Sequence, residues 1–191
     1  MLEITLDTAA GAAGLAKALE GFGHRLPNAQ ALVLNRVLTR TKARVIPALT
    51  AQTGLNRLVI VKAVRMLRAS PGNPRAALYT RGGNISYRYF HAREVPGGVE
   101  AQVAGHTERL SGHYFRRSGK SPNRHVVKKL NGQVYYNASG KWKGEITVEK
   151  SGVFIPYEMV EGATRDAFLD VVAQELPNEI ARELTKILPG R

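Results

Sequence analysis

Gly119-Lys120-Ser121 has the ending of a phosphate-binding loop, in which backbone N–H groups cradle an anion and a lysine reaches its charge. The complete loop needs a glycine five residues before Gly119; Tyr114 stands there, and Gly112 comes two residues too early. The five histidines, His24, His91, His106, His113 and His125, fall into none of the H-x-H, H-x-x-x-H or H-E-x-x-H spacings that bring two imidazoles to one metal. There is no Gly-x-Ser-x-Gly elbow. With no cysteine, thiol nucleophiles, cysteine zinc sites and disulfide frameworks are excluded. Paired carboxylates remain, but the middle of the chain offers only Glu94, Glu100, Glu108, Glu145 and Glu149, and an enzyme would need at least two of them to converge. The expectation is a protein without catalytic residues, metal or cofactor.

The chemistry left is that of charge. The 191 residues carry 28 Lys+Arg against 15 Asp+Glu, a net +13 that asks for a polyanion or an acidic partner. Residues 1–70 hold a net +7, residues 71–150 a net +9, and residues 151–191 a net −3. That acidic tail end can neutralise the basic body within one chain, or draw one subunit to the next head to tail, as in a ring.

The densest basic segment runs from 116 to 129. It holds Arg116, Arg117, Lys120, Arg124, Lys128 and Lys129, one histidine and no acid. These six are the candidate phosphate or partner contacts. A solvated, mobile loop that aids solubility is the plainer reading. If all six met phosphates, the log–log salt slope of DNA binding would be about −5. Tyr114, Phe115 and His125 flank the segment without the regular aromatic–basic interleaving of single-strand binders, so sequence readout is not expected.

Several elements must position these groups. Leu2–Asp7 alternates and reads as a short strand, and Thr8 can cap a helix over about Ala9–Gly21. From Pro27 to about Gln52 the period is helical: Ala31, Leu34, Leu38, Val45 and Leu49 share one face and Arg36, Arg40 and Arg44 the opposite one. Leu32, Val33 and Val37 lie beside the basic stripe. They either widen the core face or, with Arg36, Arg40 and Arg44, form a face for a neighbouring subunit. Pro47 should kink or end the helix. Asn56 caps a segment over 56–69 that the punctuation by Arg and Lys tips toward helix despite Val59-Ile60-Val61.

From 75 to 160 the texture is β, with Gly-, Asn- and Pro-rich turns between candidate strands at 76–79, 84–90, 99–105, 114–116, 125–129, 134–137, 145–150 and 153–160. Phe168, Leu169, Val172 and Leu176 share a face of a last helix, in which Pro177 forces a kink or fresh start before Ile180, Leu184 and Ile187. The predicted fold is α+β: one domain over 1–191, its long helices packed on one face of a mostly antiparallel sheet, with a basic, Gly-rich hairpin region. Its parts are an N-terminal strand and helix (1–26), a helical part (27–70), a β-rich part (71–160) and a C-terminal helix (161–191). Nothing reads as a membrane span or a signal peptide.

The order of features is familiar. A long helix carrying Ala-Leu-Val-Leu-Asn-Arg (31–36) leads to Thr-Gly-Leu-Asn-Arg (53–57). A basic β region follows, then Phe154-Ile155-Pro156 with Met159, then Ala167-Phe168 and Glu-Leu-Pro-Asn-Glu-Ile (175–180). In this order, from about 28 to 188, the chain resembles the minor tail protein Z family of tailed phages and prophages. The departures are the N-terminal strand with its Gly/Ala-rich helix, and a basic loop with short Arg runs. The resemblance implies a non-enzymatic virion protein of the tail and neck, assembled in the bacterial cytoplasm. It would act at tail completion and head–tail joining. Its partners would be further copies of itself in a ring (a hexamer is one option), a tail terminator or head–tail connector, and double-stranded DNA in the lumen, bound without regard to sequence. No membrane is implied. The alternative is a soluble, non-specific nucleic-acid-binding protein that acts through the basic loop.

Overall fold

The computed structural model describes residues 2–5, 25–119, 123–141 and 144–187. The helix expected over 9–21, Lys120 and Leu188 lie outside them.

Helix α1 (Arg25–Thr53) is 29 residues long. Ala31, Leu34, Leu38, Val45 and Leu49 are buried as the periodicity requires, and Val33 and Val37 are buried with them. Two buried hydroxyls on the same arc, Thr41 and Thr53, donate back to the carbonyls of Val37 and Leu49 at 2.8 and 2.7 Å, so neither is left unpaired. Pro47 does not end the helix. It and Ala43, whose carbonyl loses its partner there, are both exposed, and water can satisfy that oxygen while Val45, Ile46 and Leu49 hold the helix to the core.

Gly54 ends α1 with φ +72, its N–H donating to Thr50 O at 2.9 Å. A Cβ there would come within 3.2 Å of the Ala104 nitrogen, whose own N–H donates to Thr53 O at 3.0 Å. Asn56 caps α2 (Arg57–Ala63), accepting from the Leu58 N–H at 2.9 Å. The helix expected through 69 stops at Ala63. Val64 turns extended, and strand β2 (Arg65–Leu67) pairs with β3 (Arg75–Tyr79). On the other side of β3 lies β1 (Leu2–Thr5), so the order is β1-β3-β2, all antiparallel. Ala76, Ala77 and Leu78 are buried in succession, as a central strand covered on both faces must be.

The β-rich middle is antiparallel throughout its ladders, but it is divided. β4 (Arg93–Val95), β5 (Gly98–Val103) and β6 (His106–Ser111) form a second sheet; β7 (Tyr114–Phe115), β8 (Tyr135–Asn137) and β9 (Ile146–Val148) form a third. Three expected strands take other forms. Residues 84–90 fold into a 3-10 turn (Tyr87–Tyr89), with the Ser86 hydroxyl accepting from Arg88 N–H. Residues 125–129 make one bridge, Ser118 to His125, and then a 3-10 turn (Lys128–Leu130) that ends on left-handed Asn131. Residues 155–158 are a short helix, α3 (Ile155–Glu158), with Pro156 in its first turn.

Helix α4 (Gly162–Ile187) is 26 residues long and runs through Pro177, which is exposed. It lies antiparallel to α1: Gln52 meets its start, Arg40 its middle and Arg36 its end. Gln52 pins that start. Its Nε2 donates to Glu158 O at 3.0 Å and Glu158 Oε2 at 2.8 Å, and its Oε1 accepts from the Thr164 N–H and hydroxyl at 3.1 and 2.8 Å. Phe168 is buried, and Val172, Leu176 and Ile180 pack against the core, whereas Leu169 of the expected face is 52% exposed. The chain is an α+β fold in which α1 packs against both α4 and the first sheet. Among the described residues no helix is long and apolar enough to cross a membrane.

Candidate nucleic-acid interface

One carboxylate ties Arg116, Arg117 and Arg124 together. Glu94, on β4, has a side chain 9% exposed. Its Oε2 accepts from the backbone N–H groups of Arg116 and Arg117, both at 2.8 Å, and its Oε1 meets the Arg124 guanidinium at 2.6 Å. Arg124 also donates to Arg117 O at 2.7 Å, and the Ser118–His125 pair closes the base of the hairpin with N–H···O bonds of 3.0 and 2.9 Å. The Arg116 guanidinium turns inward and donates to the carbonyls of Ala92 and Gly132. Burial holds it below its ordinary pKa, the neighbouring Arg117 charge adds to that, and Glu94 opposes it.

The six cations are therefore not equivalent. Arg116 and Arg124 are engaged in holding the hairpin and are not free for phosphates. Arg117, Lys128 and Lys129 are exposed, with no ion-pair partner among the described residues. Lys120 lies outside the described residues, as does Ser121, so two of the three residues of the phosphate-loop ending cannot be placed. Glu94 gave no signal in sequence: it is a single acid whose partners are backbone groups 22 and 23 residues further on.

The subunit-interface candidates need larger correction. Val33 and Val37 are 3% and 0% exposed within the chain's own core, so the wide core face is the right reading of that arc. Arg36 and Arg40 face α4 of the same chain. Arg36 pairs with Glu183 and, at 3.4 Å, with Glu179; Arg40 pairs with Glu175 and, at 2.9 Å, with Glu179. Arg182 and Lys186 reach back to Glu179 and Glu183 at 3.4 and 2.7 Å.

Burial alone would raise the Glu179 pKa, but Arg40, Arg36 and Arg182 together hold it below the ordinary value. The Lys186 hydrogen bond leads in lowering Glu183, against burial and with help from Arg36, and the bond to Glu183 raises Arg36. The signal was present in sequence. Glu175, Glu179 and Glu183 repeat the i, i+4, i+8 spacing of Arg36, Arg40 and Arg44. Two stripes of opposite sign and equal period can mate along antiparallel helices. Leu32, 41% exposed, and Arg44, also exposed, are what remains of the proposed interface set.

A pocket of about 480 Å³ opens beside the basic hairpin. Phe115, Val127, Leu130 and Ile146 supply apolar walls, and Arg117, Arg124 and Lys141 the charge; among the described residues no acid lines it. Among the mid-chain acids, Glu108 and Glu149 lie close enough to the Tyr87 phenol to act on it. Burial first, and then these carboxylates, push that phenol well above its ordinary pKa. Glu100 meets Arg93 at 3.0 Å. No group of three or more metal-ligating side chains occurs among the described residues. Compared with family models, curated proteins and solved structures, the chain matches none.

Proposed function

We propose that this chain is a structural virion protein of a tailed phage or prophage. It is a minor tail or tail-completion component that forms a homo-oligomeric ring around the DNA channel at the head–tail junction. The ordered resemblance from 28 to 188 motivates the setting.

The observation that carries the physical part is how charge is divided. The acidic stripe of α4 is matched to Arg36 and Arg40 of its own chain, so it does not offset the β-rich half. Arg117, Lys128 and Lys129 therefore present positive charge to whatever lies opposite. Repeated around a ring, such side chains make a smooth, sequence-blind field suited to a sliding duplex.

Subunit contacts then fall to exposed positions such as Leu32, Arg44, Leu58 and Leu67. A tail terminator or head–tail connector is the expected neighbour, and the assembled virion the expected location. The alternative, a soluble non-specific nucleic-acid binder, would use the same cations without a ring.

Mass spectrometry of gradient-purified virions, with immunogold labelling, tests the setting. Label at the neck or tail end is the expected result; absence from particles would end the proposal.

A further inference from the structure

The third sheet separates its aromatics by face. Tyr114 packs against the core and its ring meets Tyr136 with centroids 4.8 Å apart. The neighbouring residues point the other way: Phe115 stacks on Tyr135 at 5.8 Å and 26°, and Val148 lies opposite Tyr135 in register. β9 is an edge strand of this sheet, and its Ile146 and Val148 are 43% and 42% exposed. Phe115 and Ile146 form part of the lining of the 480 Å³ pocket, whose rim carries Arg117, Arg124 and Lys141. Arg117 and Lys141 have no ion-pair partner among the described residues, and the Arg124 Nε is buried with no hydrogen-bond partner there. The volume lies within the range of about 300–1,000 Å³ usual for small-ligand sites.

We infer that this pocket takes an unstacked base of a single-stranded polynucleotide. The base would lie against Phe115, backed by Tyr135, and the flanking phosphates would meet Arg117 and Lys141. A duplex keeps its bases stacked inside and offers only phosphates, whereas a single strand offers both chemistries this pocket pairs. Arg117 and Lys141, the unpaired cations of the lining, select an anion, and the Phe115 ring selects a flat apolar group over an acidic peptide. In sequence the aromatics and cations do not interleave. The β7–β8 pairing and the hairpin held by Glu94 bring them together.

The inference does not depend on a ring. Fluorescence anisotropy should show the intact chain binding a short oligothymidylate more tightly than a duplex of equal length. Phe115→Leu should weaken the oligothymidylate by about 5- to 150-fold, the range for loss of one stacked base, and leave the duplex unchanged. Lys141→Gln should lower the single-strand salt slope by about 0.7.

Iodouridine photo-crosslinking on the unmodified chain should label peptides containing Phe115 or Ile146, and this arm stands even if Phe115→Leu fails to fold. Crosslinks elsewhere, or a folded Phe115→Leu that binds oligothymidylate as before, would overturn the inference. So would displacement of the oligonucleotide by polyglutamate of equal charge, which would assign the pocket to an acidic peptide. Equal affinity for both nucleic acids would remove the pocket and leave the channel reading standing. A single-strand preference in a chain that never forms rings would do the reverse.

Discussion

Glu179→Gln tests the statement that the acidic stripe of α4 serves its own chain. The Glu179 side chain is 3% exposed and meets Arg40 at 2.9 Å and Arg36 and Arg182 at 3.4 Å. Removing one partner of a fully buried ion pair costs about 3–5 kcal/mol because a charge is orphaned. Here no buried cation is orphaned: Arg36 keeps Glu183, Arg40 keeps Glu175, and Arg182, which loses its partner, is 61% exposed to water. The Arg40 side chain is also 44% exposed, so water screens the attraction. The expected loss is therefore about 1–2 kcal/mol, with a coupling to Arg40→Gln of about 1 kcal/mol in a double-mutant cycle.

Urea unfolding followed by circular dichroism would read it. Because Glu179 and Glu183 have lowered folded-state pKa values, their stabilisation is complete above the ordinary glutamate value of about 4.3 and is lost as pH falls through the lower folded values. The gap between the native chain and Glu179→Gln should close over that acid window. A coupling of zero at neutral pH would refute the reasoning. So would an unchanged monomer stability accompanied by a loss of oligomers, which would place these acids between subunits.

Further outcomes follow from the geometry of the hairpin and of the sheet beside it. The triple variant Arg117→Gln, Lys128→Gln, Lys129→Gln should reduce the duplex salt slope by about 3, measured by anisotropy across a salt series, while Arg116→Gln should leave the slope in place and lower the melting temperature. Glu94→Gln should cost about 1–3 kcal/mol and speed amide exchange at Arg116 and Arg117, the two N–H groups it holds at 2.8 Å. Gly98→Ala should destabilise by about 3 kcal/mol or more in thermal melts, because the new Cβ would sit 1.9 Å from Leu110 O on the paired strand.

The helical half was legible because its chemistry is periodic. Ala31, Leu34, Leu38, Val45 and Leu49 announce a buried face, and that face is buried. The arginine stripe is equally visible, and its partner repeats the same spacing in the acidic C-terminal segment as Glu175, Glu179 and Glu183. Pro47 and Pro177 mislead because a proline on the solvent side of a well-packed helix leaves its orphan carbonyl to water.

The β half was harder to read. His106–Ser111 is a strand without apolar alternation, and Asn84–Phe90 alternates without being one. No local pattern divides the nine strands of the described residues into three sheets. The role of Glu94 and the pairing of Phe115 with Tyr135 depend on contacts distant in sequence, and only the folded chain reveals them.

The assembled state tests the central proposal most directly. Light scattering and negative-stain imaging of the purified chain should show closed rings with a central hole wide enough for a duplex. A strict monomer at high concentration that nevertheless binds duplex DNA tightly would contradict it.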